Sequence, residues 1–431
     1  MTKLIDKEYA NAIRFYLDNT FFNSKQPESA ESVDLNLIRP FSNYIKSLAP
    51  EGFLFSTPLF AWWDLTSACN FRCIHCLYND TEYSAQNDLT TSEAMNLADS
   101  LINDFRISGI LLTGGEIFLR KDTMDIIRKF KENNVSVKMA TNAALLDDSQ
   151  IDCLAEMLNP YIDGMQISLD GATHETYKKI RQTNLFEKVI SNIKKLAERN
   201  ITITISCTVN TVNYNEIEEI YKLSSELGVN CFVAGRMYYF NKSHENLILS
   251  NRDLMLLASR LYKLDTSSCE TKLIAGLFSS IELFSIPGIG EILEEDKYKP
   301  VFEKYTIPVT RNCNCHDRLS IRSDGSVYMC MQAQGCKDAL MGNIRQTPIT
   351  EIWENRQNNI LFQKRLLEKM KCKNCKYNVI CNSGCMAHAY NNNGSINTPE
   401  MPCTICKITP QGVDAFEEYV ESLKSYLAGR L

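Results

Sequence analysis

The sequence predicts an α/β fold of repeated β-α units around a parallel sheet, followed by a small cysteine-rich domain. Two observations lead there. Between Leu59 and Gly235, short apolar runs alternate with stretches of helical spacing, the pattern of strands joined by crossover helices. Near Asn312 this alternation gives way to closely spaced cysteines, and ten of the chain's 17 lie in its last third. Thiols at short repeated intervals bind metal clusters more readily than they fill a core.

The elements follow in chain order. Lys7 to Phe22 reads as an amphipathic helix with Ala10, Ile13, Leu17 and Phe21 on one side, and Gln26 to Ser32 as a polar break, so residues 1–58 are expected to form a helical extension. Residues 59–240 then carry six β-α units. Strands are expected at Phe60–Leu65, Gly109–Thr113, Val135–Thr141, Gly164–Leu169, Ile201–Val209 and Asn230–Ala234. Helices are expected at Thr91–Phe105, Lys121–Asn133, Asp148–Asn159, Thr173–Ile180, Phe186–Asn200 and Tyr214–Leu227. Thr91 and Asn213 mark helix starts, and Gly228 suits a left-handed cap.

Residues 241–311 read as a helical linker, with a helix over Arg252–Gly276. The most apolar stretch, Leu273–Leu293, reads as a buried helix followed by a turn at Ile286–Gly290. Glu282, Pro287, Gly288 and Gly290 interrupt it, which no bilayer-spanning helix tolerates without partners. In residues 312–409, Asp324-Gly325 between Leu319–Arg322 and Val327–Met329 signals a β-hairpin. Ile349–Met370 is expected to be an amphipathic helix, and Gly412–Leu427 another, within a C-terminal segment 410–431.

Composition bounds the function. With 46 basic against 52 acidic residues, a net charge of −6 and 44% hydrophobic residues, the chain shows no basic patch for nucleic acid and no membrane segment. Met1 to Asn11 lacks a basic-then-apolar leader. So many reduced thiols suit a reducing compartment, and a cytoplasmic location is expected. The length also argues against a disulfide framework. A zinc site at Cys372-x2-Cys375 and Cys381-x3-Cys385 is a rival for the rear thiols alone. Cys153, Cys207, Cys231 and Cys269 stand singly and read as core residues.

The chemistry lies in two cysteine groups. Cys69-x3-Cys73-x2-Cys76 follows the first expected strand, at the end of a parallel sheet where loops carry function. Three thiolates on one loop can hold three irons of a cubane and leave the fourth open to a ligand with an amine and a carboxylate. Cys69-Asn70-Phe71-Arg72-Cys73-Ile74-His75-Cys76 resembles the loop of radical S-adenosylmethionine (radical SAM) enzymes. That resemblance implies a partial, TIM-like (β/α)6 barrel, with Cys69, Cys73 and Cys76 catalytic and His75 packed beside the cofactor. Thr113-Gly114-Gly115-Glu116 is similar to the family's Gly-Gly-Glu element, which meets the methionine amine; Ile117 stands where a proline often follows. Asn142, Ser168 and Asp170 fall at polar positions that relatives place near ribose and carboxylate. Arg181 falls where relatives place an arginine, for a carboxylate or for a surface ion pair.

The rear cysteines, Cys315-x9-Gly325-x4-Cys330, Cys372-x2-Cys375-x5-Cys381-x3-Cys385 and Cys403, resemble the SPASM extension of that family. By this resemblance one auxiliary cluster takes Cys315, Cys330 and Cys385, and a second takes Cys372, Cys375, Cys381 and Cys403. The first needs a fourth ligand, for which Cys313 is favoured. His316, Cys336 or an open iron are the other choices, and Cys406 is a substitute for Cys403.

The resemblance implies three 4Fe-4S clusters, S-adenosylmethionine, and a flavodoxin- or ferredoxin-type electron donor. The reaction it implies is reductive cleavage of the sulfonium to a 5′-deoxyadenosyl radical, hydrogen abstraction and net substrate oxidation. Most such relatives modify a peptide or protein side chain, so maturation of a ribosomally made peptide is expected first. Formylglycine formation by a sulfatase-maturing type comes second, and oxidation of haem or another small molecule third. The aromatic run Met237, Tyr238, Tyr239 and Phe240 at the barrel mouth is a candidate for stacking on substrate.

Overall fold

The computed structural model describes residues 11, 14, 56–76, 83–237, 242–277, 288–296, 317–334, 336–363, 366–378, 383–400, 403 and 405–407. Tyr238, Tyr239, Phe240, the helix expected at Gly412–Leu427 and most of the N-terminal extension lie outside these residues. Of the extension, Asn11 and Arg14 are helical, and Arg14 pairs with Glu295 at 2.7 Å.

Six strands fall where the alternation placed them: β1 (Phe60–Thr66), β2 (Gly109–Gly114), β3 (Ser136–Thr141), β4 (Gly164–Ser168), β5 (Ile203–Val209) and β6 (Cys231–Arg236). They run parallel in sequence order. Between them lie α1 (Thr91–Asp99), α2 (Thr123–Glu132), α3 (Asp148–Met157), α4 (His174–Arg181), α5 (Phe186–Glu198) and α6 (Ile217–Glu226). Local chemistry sets several of the helix starts. Thr90 and Glu93 close a reciprocal capping box on α1, Asp147 and Gln150 do so on α3, and Thr173 caps α4, satisfying amides that no helical carbonyl reaches. Asn213 does not cap α6 as expected; its amide donates to Asp170 O and Thr208 O, both at 3.0 Å.

Alternate residues of the strands are buried. Ile203, Ile205, Cys207 and Val209 of β5 share one core with Val189, Ile193 and Leu196 of α5 and Ile217 and Ile220 of α6. The intervening Thr204, Ser206 and Thr208 are partly exposed. One face of β5 thus packs on the helices while the other is polar and partly exposed.

Beyond β6 the structure departs from expectation. The helix expected to run through Gly276 ends early: α7 (Asn251–Lys263) is followed by β7 (Lys272–Gly276), which pairs parallel to β6 from Cys231↔Lys272 to Gly235↔Gly276. The buried helix expected from Leu273 is therefore a strand at its start. Lys272-Leu-Ile-Ala-Gly is apolar without alternation, a run that periodicity cannot divide between helix and strand. A one-and-a-half-turn helix, α8 (Ile289–Leu293), begins after the left-handed Gly288. Cys207 is fully buried as expected, whereas Cys153, Cys231 and Cys269 are partly exposed. Cys269 sits in the turn before β7, its amide donating to Thr266 O at 3.0 Å.

The hairpin forms as read, with β8 (Arg318–Ile321) and β9 (Ser326–Tyr328) antiparallel around Asp324-Gly325 and Gly325 at φ +84°. Its placement is new: β8 lies parallel against β1, and β10 (Leu340–Asn343) pairs with β9, so ten strands run in the order β10-β9-β8-β1-β2-β3-β4-β5-β6-β7. The cysteine-rich region extends the barrel's own sheet. The helix expected at Ile349–Met370 is only α9 (Ile349–Glu354), then short turns. Asn359 interrupts it by accepting the Leu361 amide at 3.0 Å, the local competition that makes Asn a poor helix interior residue. A last helix, α10 (Met386–Asn393), follows Cys385. No described helix is long and apolar enough to cross a membrane.

Trp353 of α9 ties the two regions together. It is 1% exposed, its ring lies 6.3 Å from Phe105 and 6.4 Å from Phe362, and its indole donates to Ser56 O at 2.8 Å. Trp353→Ala is expected to cost about 3–5 kcal/mol, seen as an earlier midpoint in anaerobic urea unfolding; an unchanged midpoint contradicts this bridging role.

Candidate active site on the loop after the first strand

The thiol triplet occupies a loop whose backbone is clamped from below. Gly115 N donates to Thr66 O and Glu116 N to Ala68 O, each at 2.8 Å. A Cβ at Gly115 would stand 2.1 Å from Ala68 O, and one at Gly114, where φ is +132°, 2.4 Å from Thr66 O. No side chain fits there, so only glycine allows this approach. The Gly-Gly-Glu element thus grips the cysteine loop in this structure.

Glu116 continues the clamp. Its fully buried carboxylate accepts from Thr141 Oγ1 and Asn142 N, both at 2.7 Å, and from Phe118 N at 3.2 Å. Burial raises its pKa while these bonds hold it down, the balance expected of a desolvated but well-bonded carboxylate. Asn142 reaches back to Asn70 Oδ1 at 2.8 Å. Beneath the loop, Asp88 accepts Thr66 Oγ1 at 2.5 Å and Ser67 Oγ at 2.8 Å. No spacing rule marks Asp88 in the sequence.

Each thiol has a donor. Phe71 N lies 3.4 Å from Cys69 Sγ, Arg181 Nη1 lies 3.5 Å from Cys73 Sγ, and the Tyr83 hydroxyl is hydrogen-bonded to Cys76. Burial pushes Cys69 up to about 11 and raises Cys73 as well; without a metal these two thiols stay protonated, and loading displaces those protons. Arg181, expected as a carboxylate ligand or a surface pair, is 7% exposed, and its Nη2 lies 2.5 Å from Asp170 Oδ2. The surface alternative is therefore wrong. Asp170 also accepts Thr208 N at 2.7 Å. His75 Nε2 is 3.6 Å from Asp170, and burial lowers its pKa to about 4, which keeps the imidazole neutral. Ser168 ends β4 opposite Ser206.

Three buried donors here find no acceptor among the described residues, Asn70 Nδ2, Tyr177 OH and Arg181 Nε, and the buried His75 Nδ1 also has no partner there. Unpaired buried donors are costly. A loop of three thiols with unpartnered buried donors on Asn70, Tyr177 and Arg181 fits an anionic, sulfur-bound group with a carboxylate-bearing ligand. Tyr177 was not singled out from the sequence, although it lies one helical turn before Arg181 on α4.

The rear thiols form two groups. Cys406 lies beside Cys372, Cys375 and Cys403, whose proximity pushes its pKa up. Cys330 lies in a small core against which Cys336 and Cys385 pack. The Cys385 amide donates to Glu400 Oε2 at 2.7 Å, and Glu400 Oε1 is 2.7 Å from His388. Cys313, Cys315, His316 and Cys381 lie outside the described residues. No set of three or more His, Cys, Asp or Glu side chains among the described residues surrounds a single metal-ion position; the pairwise contacts through Cys406 define the group.

Comparisons with known proteins agree with this layout. Residues 63–224 match the family model of the radical SAM superfamily, and residues 313–376 that of the SPASM iron-sulfur cluster-binding domain. The chain is a radical SAM protein with a SPASM domain. This radical SAM/SPASM chain is 27% identical over 358 residues to the AdoMet-dependent heme synthase of Methanosarcina barkeri, covering 81% of the chain and 97% of that protein. Streptococcus suis SuiB bound to its precursor peptide SuiA shares the fold with a TM-score of 0.64 at 15% identity, covering 87% of this chain and 80% of that one. Native anSMEcpe with bound AdoMet does so at 0.57 and 18%, covering 87% and 100%. The two structural likenesses concern the fold.

Gly115→Ala is expected to displace the loop at Ala68 and to lower iron uptake by the radical SAM/SPASM chain at the first site by at least tenfold, an effect of about 1.4 kcal/mol or more, measured as iron bound on anaerobic reconstitution. Full loading of the variant contradicts the clamp.

Proposed function

We propose that the chain is a radical SAM oxidoreductase that removes a hydrogen atom from an organic substrate and oxidises it. The observation that carries this is the backbone grip of Gly115 and Glu116 on the loop of Cys69, Cys73 and Cys76, with unpartnered buried donors on Asn70, Tyr177 and Arg181. When bound there, a 4Fe-4S cluster and S-adenosylmethionine supply one-electron cleavage of a sulfonium and a carbon radical. The chain's own residues do the rest. Cys69, Cys73 and Cys76 hold three irons. The loops carrying Gly114, Gly115, Glu116 and Asn142 fix the thiol loop, and Asn70, Tyr177 and Arg181 offer donors to the anionic ligand. Ser168 and Asp170 end β4 beside it, and the neutral His75 imidazole packs there without adding charge.

Cys372, Cys375 and Cys403, with Cys406 or Cys381, are proposed to hold one auxiliary cluster. Cys330 and Cys385, with Cys313, Cys315 and Cys336 as further candidates, hold the other. Such clusters would accept the electron left on an oxidised substrate, and a flavodoxin- or ferredoxin-type donor would supply the electron that sulfonium cleavage consumes.

For the substrate, a tetrapyrrole side chain is favoured over a peptide. Similarity to a heme synthase spans 97% of that protein, whereas the link to peptide-bound SuiB is one of fold. Peptide side-chain modification is the second reading, favoured by the polar row Thr204, Ser206 and Thr208 on the open side of the sheet.

Anaerobic reconstitution is expected to load about twelve irons, three cubanes. Under strong reductant the protein is expected to release 5′-deoxyadenosine from S-adenosylmethionine. Cys73→Ala abolishes that release and keeps about eight irons; release by the variant contradicts the assignment. Incubation with candidate tetrapyrroles or with candidate peptides, followed by mass spectrometry for loss of hydrogen, separates the substrate readings. Cys406→Ser is expected to lose about four irons, and full retention excludes Cys406 as a ligand.

A further inference from the structure

Arg181 and Asp170 form a buried pair whose geometry is unlike that of a structural salt bridge. Two partners joined for stability usually meet through both guanidinium nitrogens and both carboxylate oxygens. Here Nη2 alone lies against Asp170, at 2.5 Å, while Nη1 is turned to Cys73 Sγ at 3.5 Å. Asp170 spends its other oxygen on the Thr208 amide at 2.7 Å, which fixes the carboxylate to β5. The guanidinium is thus braced on one side and aimed at a thiol on the other. Burying such a pair costs desolvation that its mutual attraction only partly offsets, so fold stability alone gives little reason for it.

The helix bearing Arg181 is also fastened to the thiol loop. Ile74 N donates to Ile180 O at 2.9 Å, and Phe71 meets Tyr177 edge-on at 6.5 Å between ring centres. Arg181 therefore moves with Cys73 and not with solvent. His75 and the buried Cys207 are the other titratable groups beside Asp170, and Arg181 is the fixed cation of this cluster of groups.

We propose that Arg181, held by Asp170, is a positioning residue that donates a hydrogen bond to the Cys73 sulfur and raises the reduction potential of the cluster bound there. This rests on the reading of Cys69, Cys73 and Cys76 as cluster ligands. Cluster potentials respond to nearby charge and to hydrogen bonds at the ligating sulfurs. A positive charge in a poorly solvated site favours the added electron; a bonded sulfur carries less charge to the iron. Asp170 tempers the first effect and secures the second.

The order of potentials tests this. Anaerobic redox titration is followed by electron paramagnetic resonance, taking the signal that Cys73→Ala lacks as the front cluster's. Arg181→Met, which loses the cation and the donor and leaves Asp170 charged, is expected to titrate below wild type. Asp170→Asn/Arg181→Met, which loses both charges and the donor, is expected to fall between the two. The double variant buries no lone charge and carries the comparison should the single variant fail to load. A midpoint at or above wild type in either variant overturns the proposal. A Cys73→Ala spectrum identical to wild type instead overturns the ligand assignment beneath it.

Discussion

The contact on which the rest of this molecule depends is one between two stretches of backbone, Gly114-Gly115 against Thr66 to Ala68. An approach that leaves no room for a Cβ turns a flexible loop into a fixed platform, because every degree of freedom that loop loses is one that ligand binding need not remove. Glu116 extends the grip to the end of β3, and Asn142 returns it to Asn70. The loop that carries the three thiols is thereby fixed at its base.

The same platform links the two halves of the chain. Ser67, next to the clamp, shares Asp88 with Thr66 and lies 3.2 Å from Ser323 of the hairpin. Leu89 N donates to Ser323 O at 2.7 Å, and Arg345 pairs with Glu93 at 2.7 Å. With β8 parallel to β1, the cysteine-rich region shares the sheet of the first thiol loop.

Much of this was legible in local sequence. Strands β1 to β6 follow from alternation and flanking turns, the hairpin from Asp324-Gly325, and the thiol loop from the spacing of Cys69, Cys73 and Cys76. What stayed hidden is non-local. Nothing at Arg318–Ile321 says that the strand will pair with residues more than two hundred positions earlier, and β7 is an apolar run with no period. Asp88, Tyr83 and Tyr177 act through contacts that no motif encodes. Arg181 was legible as a candidate, but its direction was set by Asp170 and by the junction of α4 with the loop. The assembly of Cys406 with Cys372, Cys375 and Cys403 likewise depends on how a C-terminal segment folds back.

The central claim is that the three loop thiols leave one corner of a cluster open to the amine and carboxylate of S-adenosylmethionine. Electron-nuclear double resonance on the reduced, anaerobic protein with the cofactor labelled with nitrogen-15 at its amino group tests this most directly. Direct ligation predicts a strong nitrogen coupling to the cluster signal that vanishes in Cys73→Ala. A reduced front cluster showing no such coupling at saturating cofactor contradicts it.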